Sequence, residues 1–530
     1  APTCDTRAGF YSSPVTISLA ASGRPVYYTL DGSEPTLRSS RYTSPMTITN
    51  ESSGDAELSK IPTSPRWKPP LGNVFKGVVL RAIAVDERLN TKSDELIKSF
   101  FIDQKGRQRY SFPVLSLCIN KSDFFGYNKG IYVMGKSYAD KDNYIRKNIP
   151  LVLPWWEYPS NYLLHGDDNE RKAHIELFEI NGKDGFEATA GIRINGNATR
   201  GYSQKSLRLS FRQKYGLREL GYNLFQTDKH WSYTSIILRN AGNDWDKTMF
   251  RDVFMQSLMK DANVDIQNYR PSIVFINGEY WGIHNLQERF EQHYLAKKYK
   301  INPDSITILE LEGNLVAGNK ASAGDFSELL HFAAKNDLRV DKNYDQVIAK
   351  INVKSFIDFV IANVYFCNGD WPNNNVKFWR SDALTDTSGD YHKWKWMLYD
   401  TDWGFNYNAS SSPSSNLLGR AVSEGSVGVL FKALITNKKF LNAFLSRFQH
   451  HLNETFYAPA VVQKIELFKK NYQPEMKEHI DRWRAIGSYK QWEKNVADLI
   501  DFAINRPRNQ AEQLNAFFHL EGKGAIVIKK

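Results

Sequence analysis

Asn368-Gly369-Asp370-Trp371-Pro372-Asn373-Asn374-Asn375, followed across two short apolar segments by Tyr399-Asp400-Thr401-Asp402-Trp403-Gly404-Phe405, is the stretch around which the rest of this chain is organised. Gly, Pro, Asp and Asn crowd both ends, so each end reads as a loop. Between them, Val376-Lys377-Phe378-Trp379-Arg380 and Trp394-Lys395-Trp396-Met397-Leu398 are β-prone runs that predict a hairpin with residues 382–390 as its tip. Upstream, Phe356, Phe359, Val360 and Val364 recur at helical spacing, so a helix over residues 353–366 delivers the chain to the first loop. Such a hairpin brings one isolated carboxylate, a cluster of amides and a pair of carboxylates side by side.

That order of parts is the one used to move a phosphoryl group with Mg²⁺, which needs a base or aligner for the attacking hydroxyl, oxygen ligands for the metal and a cation on the phosphates. Asp370 is the candidate base. Asn375 is the candidate neutral metal ligand and Asp402 the anionic one, with Asp400 assisting it. Mg²⁺ is commonly held by one or two carboxylates plus substrate phosphates, so this short set suffices. The same residues also make good surface turns without any chemistry, and their local pattern does not separate the two readings.

Toward the N-terminus, residues 9–103 have an all-β texture. Val15-Thr16-Ile17-Ser18-Leu19, Val26-Tyr27-Tyr28-Thr29-Leu30 and the run over residues 78–85 are strands, Asp31-Gly32 is a turn, and residues 50–73, rich in Ser, Pro and Lys, are an inserted loop. New strands are expected at residues 112–117 and 130–134. Residues 138–168 read as irregular, with Pro150, Pro154 and Pro159 discouraging helix. Hairpins are predicted over residues 174–194, around the 181–185 turn, and over residues 272–286, around Asn277-Gly278. Lys205-Ser206-Leu207-Arg208-Leu209-Ser210-Phe211 alternates as a half-buried strand does. Residues 246–259 and 291–300 read as helices, and residues 427–518 are mainly amphipathic helix.

At 530 residues the chain has room for roughly three domain-sized units of about 150 residues. Its 42% hydrophobic and 24% charged residues are ordinary for a globular protein, and no window has the ~18 uninterrupted apolar residues of a membrane span. A formal net charge of +11 favours acidic partners, but the Lys and Arg residues are dispersed, which argues against a nucleic-acid arm. Three cysteines, without Cys-x-x-Cys, exclude a disulfide framework and a thiolate zinc site. A start at Ala1-Pro2-Thr3-Cys4 is what a chain trimmed of an export signal presents. Trp155-Trp156 and Trp394-x-Trp396 could be carbohydrate platforms, although Trp at such positions is more often packing.

Two resemblances rest on these motifs. Val26-Tyr27-Tyr28-Thr29-Leu30-Asp31-Gly32-Ser33-Glu34-Pro35-Thr36 resembles the signature of the small β-sandwich module at the C-terminal end of chitobiases and β-hexosaminidases, a non-catalytic accessory in which Asp31 and Glu34 form turns. The segments at residues 191–211, 240–258, 270–288, 368–380 and 396–405 together resemble the CotH (spore coat protein H) family of atypical protein kinases. The strongest marks are Asn277-Gly278-Glu279-Tyr280-Trp281-Gly282, Asp370-Trp371-Pro372-Asn373-Asn374-Asn375 and Asp400-Thr401-Asp402-Trp403-Gly404-Phe405.

The resemblance implies an α+β protein with a β-sandwich module over residues 1–104. A two-lobed kinase-like domain follows over 105–520, its N-lobe at about 110–290 and its helical C-lobe at about 291–520. It implies that Asp370 is catalytic, that Asp402 binds metal together with Asn374 or Asn375, of which spacing favours Asn375, and that Lys205 sits on nucleotide phosphates with Asp252 or Glu288 as its acidic partner. The expected cofactors are ATP and Mg²⁺, with Mn²⁺ as a substitute. The expected partner is a protein with Ser/Thr acceptors, with a glycan on the N-terminal module, and the expected location is secreted or at the cell surface. Two departures stand out: Gly191, Gly196 and Gly201 do not make Gly-x-Gly-x-x-Gly, and Asn368 stands where ordinary kinases place His. The alternatives are a non-catalytic carbohydrate-binding or adhesion protein on the same scaffold, and a metal-dependent phosphodiesterase or hydrolase that would not need Lys205.

Overall fold

The computed structural model describes residues 1–86, 89, 91–140, 154–180, 182–227, 232–383 and 390–529. Pro150, Asn181 and the hairpin-tip residues 384–389 lie outside the described residues. The fold is α+β, with a sheet-rich N-terminal part and a helical C-terminal part. Among the described residues no helix is long and apolar enough to cross a membrane.

In the N-terminal module the main sheet runs Gly9–Tyr11, Leu96–Ile102, Val78–Asp86, Val26–Thr29 and Ser40–Arg41, with short pairs Val15–Ile17/Met46–Ile48 and Thr3–Cys4/Leu19–Ala20 beside it. Ile17, Leu19, Val26, Ile48, Leu80 and Phe100 form its own small core. The module is not an independent bead. The Phe101 ring meets Phe275 of the next unit with centroids 4.6 Å apart and planes tilted by 56°, and the inserted 50–73 loop donates Leu58 N, Ser59 N and Ser59 Oγ to the buried carboxylate of Glu279 at 2.7–2.9 Å. Three donors on one carboxylate satisfy a charge that would otherwise be costly to bury.

Seven strands then close into a barrel, in the order Val114–Ile119, Arg171–Phe178, Glu187–Asn195, Ser206–Ser210, Ser235–Arg239, Glu279–Glu288 and Tyr269–Ile276. Closure is made by parallel pairing of Val114 with Ile273 through Leu117 with Ile276, which leaves no free sheet edge. Ile192, Ile194, Leu207, Leu209, Ile236 and Leu238 alternate inward and fill the barrel. The strand expected at residues 130–134 is a turn. Ile131, Tyr132 and Val133 are apolar there because they are buried under the barrel, not because they pair.

The helix Val353–Phe366 begins where the Asn352 side chain accepts from Ser355 N and ends where Cys367 turns left-handed at φ 53°. It is buried on nearly every side, as an apolar helix in the centre of a domain must be. Beside it, Lys377–Ser381 and Lys395–Met397 pair as expected, within a four-stranded sheet that also contains Ile306–Glu310 and Asn314–Ala317. The long helices Ala458–Trp483 and Tyr489–Phe518 pack on each other, and the first also packs on the Glu279–Glu288 strand. Val114, Ile273, Phe275, Tyr280 and Ile283 of the barrel strands therefore share one continuous core with the helical part, distinct from the barrel interior.

Candidate functional site

Four chain segments meet around a cavity of about 600 Å³. The strand Ser235–Arg239 ends by presenting Arg239, and the chain then turns through Ala241 and Gly242, at φ 73° and 62°, into the short turn Gly242–Asp246 that carries Asn243. A Cβ at position 242 would collide with Asp402 Oδ2 and Arg239 Nη2, so glycine is required twice over. Asp244 pins this turn from below: its carboxylate accepts from Thr248 N, Arg251 N and Arg251 Nε at 2.9–3.2 Å and so caps the helix Arg251–Leu258.

The helix Val353–Phe366 supplies the second segment. Arg420 Nη1 donates to Gly369 O at 2.8 Å, and Asn373 Nδ2 donates to Glu424 at 2.8 Å, which braces the Asp370 loop. The third and fourth segments are the two arms of the hairpin. Asn375 Nδ2 donates to Asp400 O at 2.9 Å and joins the two loops directly. Asn375 and Asp400 both sit at left-handed φ, 60° and 54°, which Asn and Asp tolerate better than most residues. Together with Ala241 and Cys367 they form a concentration of strained backbone around one cavity, each position costing on the order of 1 kcal/mol or more.

At the centre, Arg239 Nη2 lies 2.5 Å from both Asp400 Oδ1 and Asp402 Oδ2, and Nε lies 3.7 Å from Asp252 Oδ2. Asp402 also accepts from Asn243 N and Asn243 Nδ2 at 3.0 and 2.9 Å. Burial and the neighbouring Asp400 carboxylate push Asp402 well up from the ordinary carboxylate value, against the pull of Arg239. Burial and Asp400 likewise raise Asp370, with Arg420 and the Asn375 side chain opposing. Three carboxylates thus surround one guanidinium, with Asp370 nearby on the same cavity.

The oxygen donors Asp400, Asp402 and Asn375 suit Mg²⁺. Among the described residues no three His, Cys, Asp or Glu side chains form a preformed metal cluster, so water and phosphate oxygens would complete the shell.

Asp370, Asn375 and Asp400 line the cavity, while Asp402 lies just behind Arg239, 1% exposed. Lys205 is placed elsewhere. It shares strand parity with Leu207 and Leu209 and therefore faces inward, where Nζ donates to Arg200 O and Tyr202 O at 2.7 Å and lies 3.8 Å over the Tyr162 ring. Burial, with Arg200 near it, pushes its ammonium well below the ordinary value. Neither Asp252 nor Glu288 pairs with it. Asp252 is held by Thr401 N, Thr401 Oγ1, Gln256 and Gln287, and these donors with Arg239 overcome burial to keep its carboxyl below the usual range. Glu288 accepts from Asn268 N at 2.8 Å, is raised by burial, and is not among the cavity walls.

The cations that do face the cavity are Arg208, Arg239, Arg289 and Lys377. Lys377 Nζ stands 3.7 Å from Glu310 Oε2 and 4.9 Å over the Tyr399 ring. Burial lowers its ammonium, and Glu310 draws it back up. Lys377 stands two residues beyond Asn375, so strand alternation was the signal that could have placed it on the cavity face. Arg239 had no comparable local mark.

The family model described as CotH kinase protein matches residues 192–509, and that of the chitobiase/beta-hexosaminidase C-terminal domain matches residues 6–54. No curated protein matches the chain.

Proposed function

The chain belongs to the CotH kinase protein family, whose model covers more than half of its length, and from that premise we propose that it transfers the γ-phosphoryl group of ATP to Ser or Thr hydroxyls of a protein outside the cytoplasm. The observation that carries this reading is the meeting of Asp370, Asn375 and Asp400 around one cavity, with Asp402 held just behind it by Arg239, and with Arg208, Arg239, Arg289 and Lys377 among the other walls. In this reading the N-terminal module is residues 1–104. The barrel part, about 110–290, and the helical part, about 291–520, act as two lobes, because the cavity takes walls from both.

Asp370, made more basic by burial and by Asp400, accepts or aligns the proton of the acceptor hydroxyl as its oxygen bonds to phosphorus. Arg239 holds Asp400 and Asp402 in one orientation, and Asn243 fixes the second oxygen of Asp402. Lys377, with Glu310 orienting it, and Arg208 and Arg289 place positive charge where phosphate oxygens would lie. Asp400, Asp402 and Asn375 would hold Mg²⁺, which when bound supplies further charge neutralisation to the phosphates.

Asp370→Asn and Asp402→Ala test the assignment. Phosphate incorporation from labelled ATP into the chain itself or a Ser-rich protein should fall at least a hundredfold, about 2.7 kcal/mol of barrier, in folded protein. Activity equal to the parent in both variants would remove it.

A further inference from the structure

A second cavity, of about 350 Å³, lies on the other side of the loop and turn that wall the first. Residues 64–68 of the N-terminal module close one side, and Trp155, Trp156, Tyr202, Trp245 and Trp483 supply the rest from four distant segments. Trp155, Tyr202 and Trp245 stack in a row, with ring centroids 6.1 and 5.5 Å apart and planes within 20° and 24° of parallel. Trp156 meets Trp155 edge-on, and Trp483 meets Trp245 in the same way. Trp483 is buried, but the other four stay partly exposed. Leaving that much aromatic surface in contact with water forgoes stabilisation of about 25 cal/mol per Å², so a concave concentration of it marks a binding surface.

The rim is charged. Arg66 and Lys68 are exposed, Arg484 is half-buried, and Asp246 is the acid among these walls. None of the three cations makes an ion pair with a described residue; Arg66 instead lies 4.3 Å over the Trp155 ring. The slot hydroxyls Ser64 and Ser203 are spent on each other at 2.9 Å.

We propose that this slot binds an acidic saccharide, a sugar ring that carries a carboxylate or a sulfate. A pyranose offers C–H faces that pack on aromatic rings and vicinal hydroxyls that match the paired atoms of a carboxylate or guanidinium, which Asp246, Arg66 and Arg484 supply. Three cations against one acid select a ring with negative charge. The volume lies at the small end of ligand sites, which suits one or two rings. The inference rests on neither the phosphoryl-transfer reading nor the likeness of the N-terminal strands to any family.

The test titrates the full chain with tetragalacturonate, a heparin-derived tetrasaccharide, neutral maltotetraose and a poly-glutamate peptide, followed by tryptophan fluorescence and calorimetry. Saturable binding of at least one acidic sugar, at least tenfold tighter than maltotetraose and the peptide, is expected. Trp155→Ala and Arg66→Glu should each weaken it at least tenfold at an unchanged thermal midpoint, and Arg66→Glu, at an exposed position, guards against loss of fold in the other. Absence of saturable binding by both acidic sugars, equal binding in both variants, or tighter binding of maltotetraose or the peptide would overturn the proposal. Neither variant touches the Asp370 cavity, so phosphate transfer stands or falls separately.

Discussion

Lys205 and Lys377 both follow polar loops at the start of strands, and burial lowers the ammonium of each, yet they belong to opposite sides of the protein's chemistry. Lys205 is sealed inside the barrel against two carbonyl oxygens and a tyrosine ring. Lys377 opens on the cavity, with Glu310 at 3.7 Å. What separates them is strand parity: Lys205 falls on the same side as Leu207 and Leu209, while Ser206 and Arg208 take the cavity side. A charge in a family's expected place is not thereby in the site. The same contrast holds between the Lys205 site, where carbonyl oxygens take up the ammonium, and the cavity, where three carboxylates share one guanidinium.

The strongest way to break that contrast is Arg239→Ala. It strands Asp252, Asp400 and Asp402 without their shared cation, and breaking a buried pair costs about 3–5 kcal/mol. A large drop in urea midpoint is expected, and Mg²⁺ should restore part of it, because only a cation can settle the remaining charge. A midpoint that stays at the parent value would mean that the carboxylates are not charged as a group.

The two lysines supply the next comparison. Lys377→Met should lower phosphate transfer tenfold to a hundredfold, about 1.4–2.7 kcal/mol of barrier, with the thermal midpoint close to the parent's. Lys205→Met should do the reverse: it leaves Arg200 O and Tyr202 O without their donor, a stability cost on the order of 2 kcal/mol, while turnover per folded molecule stays close to the parent's. If Lys205→Met abolished turnover in folded protein and Lys377→Met did not, the assignment of the two faces would be reversed.

Much of this arrangement was legible in the sequence because its signals are local. Asp-Gly and Asn-Gly turns, alternating strands and the apolar helix over residues 353–366 each follow from a few neighbouring side chains, and the order of Asp370, Asn375, Asp400 and Asp402 needs only a hairpin to bring them together. Closure of the barrel was not legible, since it depends on parallel pairing between strands far apart in the chain. Arg239 and Asn243 were missed because their partners are remote: nothing near Arg239 announces Asp400 or Asp402. For Lys205 the alternation over residues 205–211 groups it with the inward leucines, away from the place the family pattern implies. The turn at residues 130–134 is the converse case: its apolar content comes from burial under the barrel and not from strand pairing.

The smallest expected effect separates the module interface from the cavity by its dependence on pH. Glu176 pairs across the sheet with Ser116 of the barrel, whose hydroxyl meets Ser99 of the N-terminal module at 2.7 Å. Burial, assisted by Glu187 and opposed by Ser99 and Lys98, pushes the Glu176 carboxyl up to about 8 from an ordinary 4.5. Between those values the folded chain keeps a proton that the unfolded chain has released, so folding takes up a proton and stability falls as pH rises from 4.5 to 8. Glu176→Gln removes the dependence. Parent and variant should melt together near pH 5 and separate by pH 8, with the variant the more stable, whereas the Asp370 variants should show no such crossover. Equal separation at both pH values would mean that the Glu176 carboxyl is ionised in the folded interface.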